Sequence, residues 1–330
     1  MSAYPDVRLR RLRLTAARRR LFDEPMPGPE KFIWPVFVRS GRNVKEPIGA
    51  LPGQFRYSAD ALLRDLEKPA RAGIGGVLVF GLIANQRKDN TGADAWRANA
   101  PAQQAVRAIK RAYPDLVVFS DVCLCAYTRH GHCGPIGRDG QVDNDAACAG
   151  LAKIAVSHAA AGADAVAPSA MMDGQVVTIR NALDKAGFAN TLLMSYSTKF
   201  ASAMYGPFRE AEQSAPQQGD RKGYQASYRD LAQALRESEM DAAEGADILM
   251  VKPAIFYLDV IARLRQATRL PITAYNVSGE YSMLQAAADR GWGNLKAMVR
   301  ESLFGIRRAG ADLIISYWAN RYNEFFGDDA

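Results

Sequence analysis

The sequence predicts an α/β fold, a TIM (β/α)8 barrel with an extended N-terminal arm, and three observations lead there. From residue 31 onward, short and nearly continuous apolar runs alternate with helical patterns, as in a parallel sheet covered by helices on its faces. The candidate strands number eight, at 32–38, 76–82, 115–122, 163–169, 191–197, 246–252, 271–277 and 311–318. A glycine stop before Ala-Asp recurs as Ala161-Gly-Ala-Asp164, Glu244-Gly-Ala-Asp247 and Ala309-Gly-Ala-Asp312, which reads as one repeated αβ turn. Eight such units favour the barrel over the doubly wound open sheet.

Taken in order, residues 1–30 form the arm and 31–330 the catalytic barrel. Seven arginines stand between Arg8 and Arg20, and they hold much of the net charge of +7. Nucleic-acid binding or organelle targeting would use such charge, but no dispersed basic face or recognisable nucleic-acid module accompanies it. The arm is instead expected to lie on a neighbouring subunit through Leu9, Leu12, Leu14 and Leu21, with Pro25, Pro27, Gly28 and Pro29 separating it from the barrel. Arginines occupy the place of a secretory apolar core, and no apolar run reaches about 18 residues, so a soluble, cytoplasmic protein without a membrane span is expected. Four cysteines in so long a chain are not a disulfide framework.

Helical periodicity fills 59–72, 100–113, 143–160, 225–243 and 256–268. Barrel active sites gather at the C-terminal ends of the strands. Polar residues of this chain collect there: Asp121 and a cysteine cluster after the third strand, Ser169 after the fourth, Lys199 after the fifth, Lys252 ending the sixth, Ser278 after the seventh, and Tyr317 at the eighth.

The cluster is Cys123, Cys125 and Cys133 in a C-x-C-x7-C pattern. Extended residues alternate faces, so the first two thiols can point together, and a turn at Gly131 can return the third. Three thiolates suit zinc with its fourth position open. Buried thiols or a disulfide are the competing reading, while His130 and His132 fit supporting positions better than ligation. Cys148 reads as buried helix packing.

Lys199 and Lys252 each stand against apolar residues. A lysine in water has a pKa of about 10.4 and is no nucleophile. Desolvation and a second cation both disfavour its charge, so two lysines in one pocket could each form a Schiff base with a ketone. Ordinary strand-end lysines reaching for solvent are the alternative. Two segments, 205–209 and 220–225, fall on what reads as a long lid loop, where Arg209 and Arg221 could fork around a carboxylate.

Taken together, Asp-Val-Cys-Leu-Cys-x-Tyr-Thr-x-His-Gly-His-Cys-Gly, Met-Ser-Tyr-Ser-x-Lys-Phe-Ala-Ser, Tyr-Gly-Pro-Phe-Arg, Met-Val-Lys-Pro and Val-Ser-Gly-Glu-Tyr resemble the porphobilinogen synthase, or 5-aminolevulinate dehydratase, family over about residues 8–320. The resemblance implies a TIM barrel whose arm embraces a neighbour in a homo-oligomer, commonly an octamer. It also implies the asymmetric condensation of two 5-aminolevulinate molecules to porphobilinogen, in tetrapyrrole synthesis. By motif, Lys252 resembles the Schiff-base lysine of the first substrate, with Ser278 and Tyr317 at its carboxylate. Lys199 resembles that of the second, with Arg209, Arg221 and Gln225. Asp121 is the implied proton carrier, and Tyr205, Tyr275 and Ser169 complete the pocket. Cys123, Cys125 and Cys133 match zinc ligands, and Glu237 matches an outer magnesium ligand. Ala170, Gln175, Asn276 and the loop 82–88 depart from the family pattern, which leaves a divergent homologue with altered activity as one alternative and a class I aldolase as another.

Overall fold

In the computed structural model, which describes residues 3–327, the chain forms a closed parallel barrel with helices outside. Among the described residues ten strands occur: β1 (Phe32–Arg39), β2 (Lys45–Pro47), β3 (Phe55–Tyr57), β4 (Gly76–Leu82), β5 (Val117–Val122), β6 (Ala165–Pro168), β7 (Leu192–Lys199), β8 (Ile248–Lys252), β9 (Ile272–Asn276) and β10 (Leu313–Ser316). Eight of them, β1 and β4 to β10, pair in parallel sequence order, and β10 closes on β1 with Phe32 opposite Ile314. The short β2–β3 hairpin adds to the end of β1 and had no counterpart in the sequence reading.

All eight expected strands are present. Their burial explains why they were legible: every residue of β4, β6, β8 and β9 is buried, so no polar alternation interrupts them. The helix Ala59–Arg71 shows the complementary pattern, burying Ala61, Leu62, Leu66 and Pro69 along one stripe.

The recurring Gly-Ala-Asp turn is a latch. Gly162, Gly245 and Gly310 adopt φ of 100°, 100° and 119°, which ends each helix without the cost a side chain would impose. The following aspartate then accepts a backbone hydrogen bond from the preceding barrel strand or its entry: Val118 N to Asp164 Oδ2 at 2.8 Å, Leu193 N to Asp247 Oδ2 at 2.7 Å, and Ile272 N to Asp312 Oδ2 at 2.9 Å. One sequence repeat therefore ties neighbouring strands at the bottom of the barrel and leaves its top free for chemistry.

Several expectations need correction. Residues 206–212, read as part of a lid loop, form the helix Gly206–Glu212 with Pro207 at its start, where a missing N–H costs nothing. The helix expected from 225 begins only at Leu231, because Asp230 caps it by accepting from Gln233 N at 3.0 Å. The last strand stops at Ser316, and Tyr317–Arg321 coils into a 3-10 turn. Strand alternation is not what gathers the cysteines, since β5 ends at Val122; a turn in which Tyr127 N and Thr128 N both bond to Leu124 O folds them together.

The arm (residues 3–30 of those described) carries the helix Ala16–Phe22, capped by Thr15, and none of that helix is buried. Leu9, Leu12, Leu14 and Leu21 are all exposed, with Leu21 at 76%. The arm's expected residues 1–2, and residues 328–330 of the barrel segment, lie outside the described part.

Candidate active site

Lys199 and Lys252 end adjacent strands and are direct partners in the β7–β8 register. A backbone bond from Phe200 N to Lys252 O at 2.9 Å fixes the two strand ends together. Both lysines are buried. The Lys252 amine lies 4.2 Å from the Tyr275 ring, 4.7 Å from Phe208, 5.0 Å from Tyr196 and 5.4 Å from Tyr205. Aromatic faces attract a cation weakly, but they exclude the water that would stabilise it far more. Burial, reinforced by the charge of Lys199, pulls Lys252 down from 10.5 to about 7. Lys199 donates instead to the Ser169 carbonyl.

Behind Lys252, Glu280 holds the strand end in place. Its carboxylate accepts from Ala254 N (3.1 Å), Ile255 N (2.7 Å) and Val277 N (2.8 Å). It also accepts from Asn276 Nδ2 at 3.1 Å, while Asn276 Oδ1 accepts from the Ser316 hydroxyl at 2.9 Å. The departure at Asn276 is thus a fully satisfied link between β9 and β10. Glu280 was not singled out from sequence, though the acid three residues after Val277 is the usual signal of a helix-start cap.

Asp121, near the end of β5, is pushed up to about 7 by burial and then by the charge of Glu212, against the pull of Ser169 and the two lysines. Its Oδ1 is buried without a partner. Tyr317 and Tyr275 meet hydroxyl to hydroxyl at 3.4 Å. The Ser278 hydroxyl accepts from Phe208 N at 2.9 Å and donates to Met204 O at 3.3 Å, which joins the helix Ser278–Asp289 to the segment bearing Arg209.

Cys123, Cys125 and Cys133 are buried free thiols whose sulfurs all lie within 4.8 Å of one another. Bonds from the other two thiols hold Cys133 well below the usual thiol range, with help from Arg221 and Lys199. Such a soft, convergent donor set fits a thiophilic divalent metal. His132 bonds to Tyr224 OH (3.1 Å) and Gln218 O (2.9 Å), and His130 to Asn90 O (3.3 Å), so both imidazoles brace the surrounding loops.

Above the lysines, Arg221 donates to Gly131 O (2.9 Å) and Ser214 O (2.6 Å), yet its Nε has no partner. Arg209 Nε and Gln225 Nε2 are likewise buried and unpaired. Gln225 lines a different, broader cleft, whereas Arg209 and Arg221 line one pocket. Leaving a buried donor unsatisfied costs about 1–3 kcal/mol, so their two unpaired donors mark where an acceptor binds. Cys125, Lys199, Lys252, Arg209 and Arg221 line that enclosed pocket, together with Glu212, which sequence reasoning passed over because its segment read as a solvated lid. Glu237 lies elsewhere, on the helix Leu231–Ala243 facing a broad cleft with His132, Asp173 and Tyr224. Buried Ala170 and Gln175 leave no stranded charge, since Gln175 Oε1 accepts from Met172 N at 3.3 Å.

Fold and site define a TIM-barrel enzyme with two buried lysines at its mouth beside a thiol cluster suited to a metal. The family model described as delta-aminolevulinic acid dehydratase matches residues 6–325. Proteins of that name from Escherichia coli strain K12 and Synechococcus elongatus are 50% and 47% identical to this chain, over 94% and 96% of it and 95% and 97% of their own lengths. A crystal structure of the Toxoplasma gondii delta-aminolevulinic acid dehydratase (porphobilinogen synthase), in complex with porphobilinogen, superposes with a TM-score of 0.95 at 40% identity, covering 98% of this chain and 92% of that one. The chain belongs to the delta-aminolevulinic acid dehydratase family.

Proposed function

We propose that this protein condenses two molecules of 5-aminolevulinate to porphobilinogen with loss of two waters, using Lys252 and Lys199 as paired Schiff-base lysines. The observation that carries the reading is the pair of adjacent buried lysines, one held near a pKa of 7, in a pocket lined by the unpaired donors of Arg209 and Arg221.

The neutral Lys252 amine attacks the ketone of the first substrate; the carbon–nitrogen double bond forms and the carbonyl oxygen leaves as water. Lys199 does the same with the second substrate, whose carboxylate fits the open donors of Arg209, Arg221 and Gln225. Ser278 and Tyr317 face the first substrate's carboxylate. Tyr205, Tyr275 and Ser169 shape the walls. One carbon–carbon and one carbon–nitrogen bond then join the substrates, and each lysine departs as a free amine. Asp121, poised near neutrality, carries the protons between them. Cys123, Cys125 and Cys133 would hold zinc, which supplies Lewis-acid polarisation at the second substrate.

The exposed leucines of the arm support a homo-oligomer, an octamer by family resemblance, since a helix of seven residues is marginal without a partner surface. Glu237 is the residue that would face a magnesium ion in such an assembly. No described helix is long and apolar enough to cross a membrane, and the cytoplasm is the location proposed for the enzyme.

The test is direct: purified, zinc-loaded protein incubated with 5-aminolevulinate should accumulate porphobilinogen, and Lys252→Ala should not. Failure of the unmodified protein to form any porphobilinogen would overturn the proposal.

A further inference from the structure

The helix Gly206–Glu212 brings Phe208 and Arg209 to the wall of the pocket. Its first turn is tied to the barrel by the bond from Phe208 N to the Ser278 hydroxyl at 2.9 Å. The last turn of a helix leaves carbonyls without partners inside the helix, and cations are favoured there. Two buried cations from elsewhere in the chain occupy that end. Arg56 donates from Nε to Ala211 O at 2.8 Å and from Nη2 to Glu210 O at 2.7 Å, while Lys88 donates to Gln213 O at 2.7 Å.

Arg56 is 7% exposed and does not itself line the pocket. It stands on β3 opposite Phe37 of β1 in the parallel register, and the Phe37 ring packs 5.7 Å from that of Phe208. Two strand partners therefore seat the same helix, one by a ring and one by its main chain. The Nη1 of Arg56 meets Glu46 Oε1 at 2.6 Å, across the β2–β3 hairpin, which fixes the plane of the guanidinium. Three nitrogens of the fork are thus engaged, and its flat shape, as well as its charge, matches two consecutive carbonyls. Arg209 Nε makes no bond, so the helix that bears it sets where that donor points.

We propose that Arg56 is a positioning residue for the second substrate: by holding Glu210 O and Ala211 O it fixes the helix that aims Arg209 at that substrate's carboxylate. This rests on the reading of Arg209 as a carboxylate donor for the substrate at Lys199. A misplacement of a binding group by about 1 Å is enough to cost a reaction heavily, so a grip on the main chain beneath it has a direct consequence for binding. The first substrate is insulated from this grip. Its lysine and carboxylate partners, Lys252, Ser278 and Tyr317, stand on other elements, and the bond between Phe208 N and Ser278 does not involve Arg56.

The experiment is borohydride trapping of 5-aminolevulinate on the full-length, metal-loaded protein over a range of substrate concentrations. Adducts at Lys199 and Lys252 are quantified separately by peptide mass mapping for the unmodified chain, Arg56→Gln, Arg209→Gln and the double variant. Arg56→Gln is expected to raise the concentration that half-labels Lys199 about 10-fold and to leave that for Lys252 unchanged. Tenfold corresponds to about 1.4 kcal/mol, a coupling of the size found between residues of one hydrogen-bond network. In the double variant the Arg56 change should add nothing to the effect of Arg209→Gln, because Arg56 acts through Arg209. An unchanged Lys199, an equal shift at both lysines, or a full Arg56 effect in the absence of Arg209 each overturns the proposal, the last two as the mark of a merely structural role. If Arg209→Gln alone leaves Lys199 labelling unchanged, the carboxylate reading itself falls and the proposal with it. Should Arg56→Gln fail to fold, Arg56→Lys takes its place, since it keeps the buried charge but loses the fork. A smaller shift confined to Lys199 is then expected, and no such shift contradicts the proposal.

Discussion

Replacing Lys199 by methionine should shift the titration of Lys252, because the two are strand partners at one buried mouth. Lys252 falls from 10.5 to about 7 through burial first and the charge of Lys199 second, a fall worth about 5 kcal/mol at 1.36 kcal/mol per pH unit. Two charges about 6 Å apart at an effective dielectric of about 20 repel by about 3 kcal/mol, or about two pH units, and that separation is taken for the two amines. The sign is fixed by chemistry: only the neutral amine attacks a ketone, so imine formation rises with pH through the lysine's pKa and then levels. In the unmodified protein the midpoint should lie near 7. In Lys199→Met it should move to about 9, still below the free value because burial remains, and the initial rate at pH 7 should fall roughly 50-fold. The assay is borohydride trapping of 5-aminolevulinate at Lys252 across pH, read by peptide mass mapping. A midpoint unchanged or lower in Lys199→Met would refute the electrostatic argument.

Three further outcomes follow from the same geometry. Changing Cys123, Cys125 and Cys133 together to alanine should abolish metal retention after gentle dialysis, read by elemental analysis, while a soft ion such as lead should displace zinc from the unmodified protein. Arg221→Gln should lower kcat/KM for porphobilinogen formation about 10- to 100-fold, as the loss of about 1.5–3 kcal/mol from a charged hydrogen bond predicts, while trapping at Lys252 persists. Deleting residues 1–24 should reduce particle mass in light scattering, because the exposed leucines of the arm lose their partner surface; an unchanged mass would return the arginines to another role.

How much was legible depends on the length scale of each signal. The strands were visible because burial on both faces leaves uninterrupted apolar runs, and the repeated Gly-Ala-Asp turn was visible as punctuation. Its purpose was not, since the bond from Val118 N to the Asp164 carboxylate joins residues distant in sequence. The lysines were found as polar residues after apolar strands, whereas the aromatic cage of Lys252 draws Tyr196, Tyr205, Phe208 and Tyr275 from three separate stretches. The helix Gly206–Glu212 escaped because it is short and polar, with its stability coming from the pocket it covers. Glu212 was lost with it. Glu280 shows the opposite failure, as a recognisable cap whose second role, bracing the strand end that carries Lys252, only appears in three dimensions.

The central claim is that two lysines in one pocket each bind a separate substrate covalently. Borohydride reduction of the unmodified, metal-loaded protein during turnover of 5-aminolevulinate, followed by peptide mass mapping, tests it most directly. Adducts on both Lys252 and Lys199 are expected, with Lys252 labelled first and Lys199→Ala still labelled at Lys252 but forming no porphobilinogen. Porphobilinogen formed at full rate with neither lysine ever labelled would contradict the account.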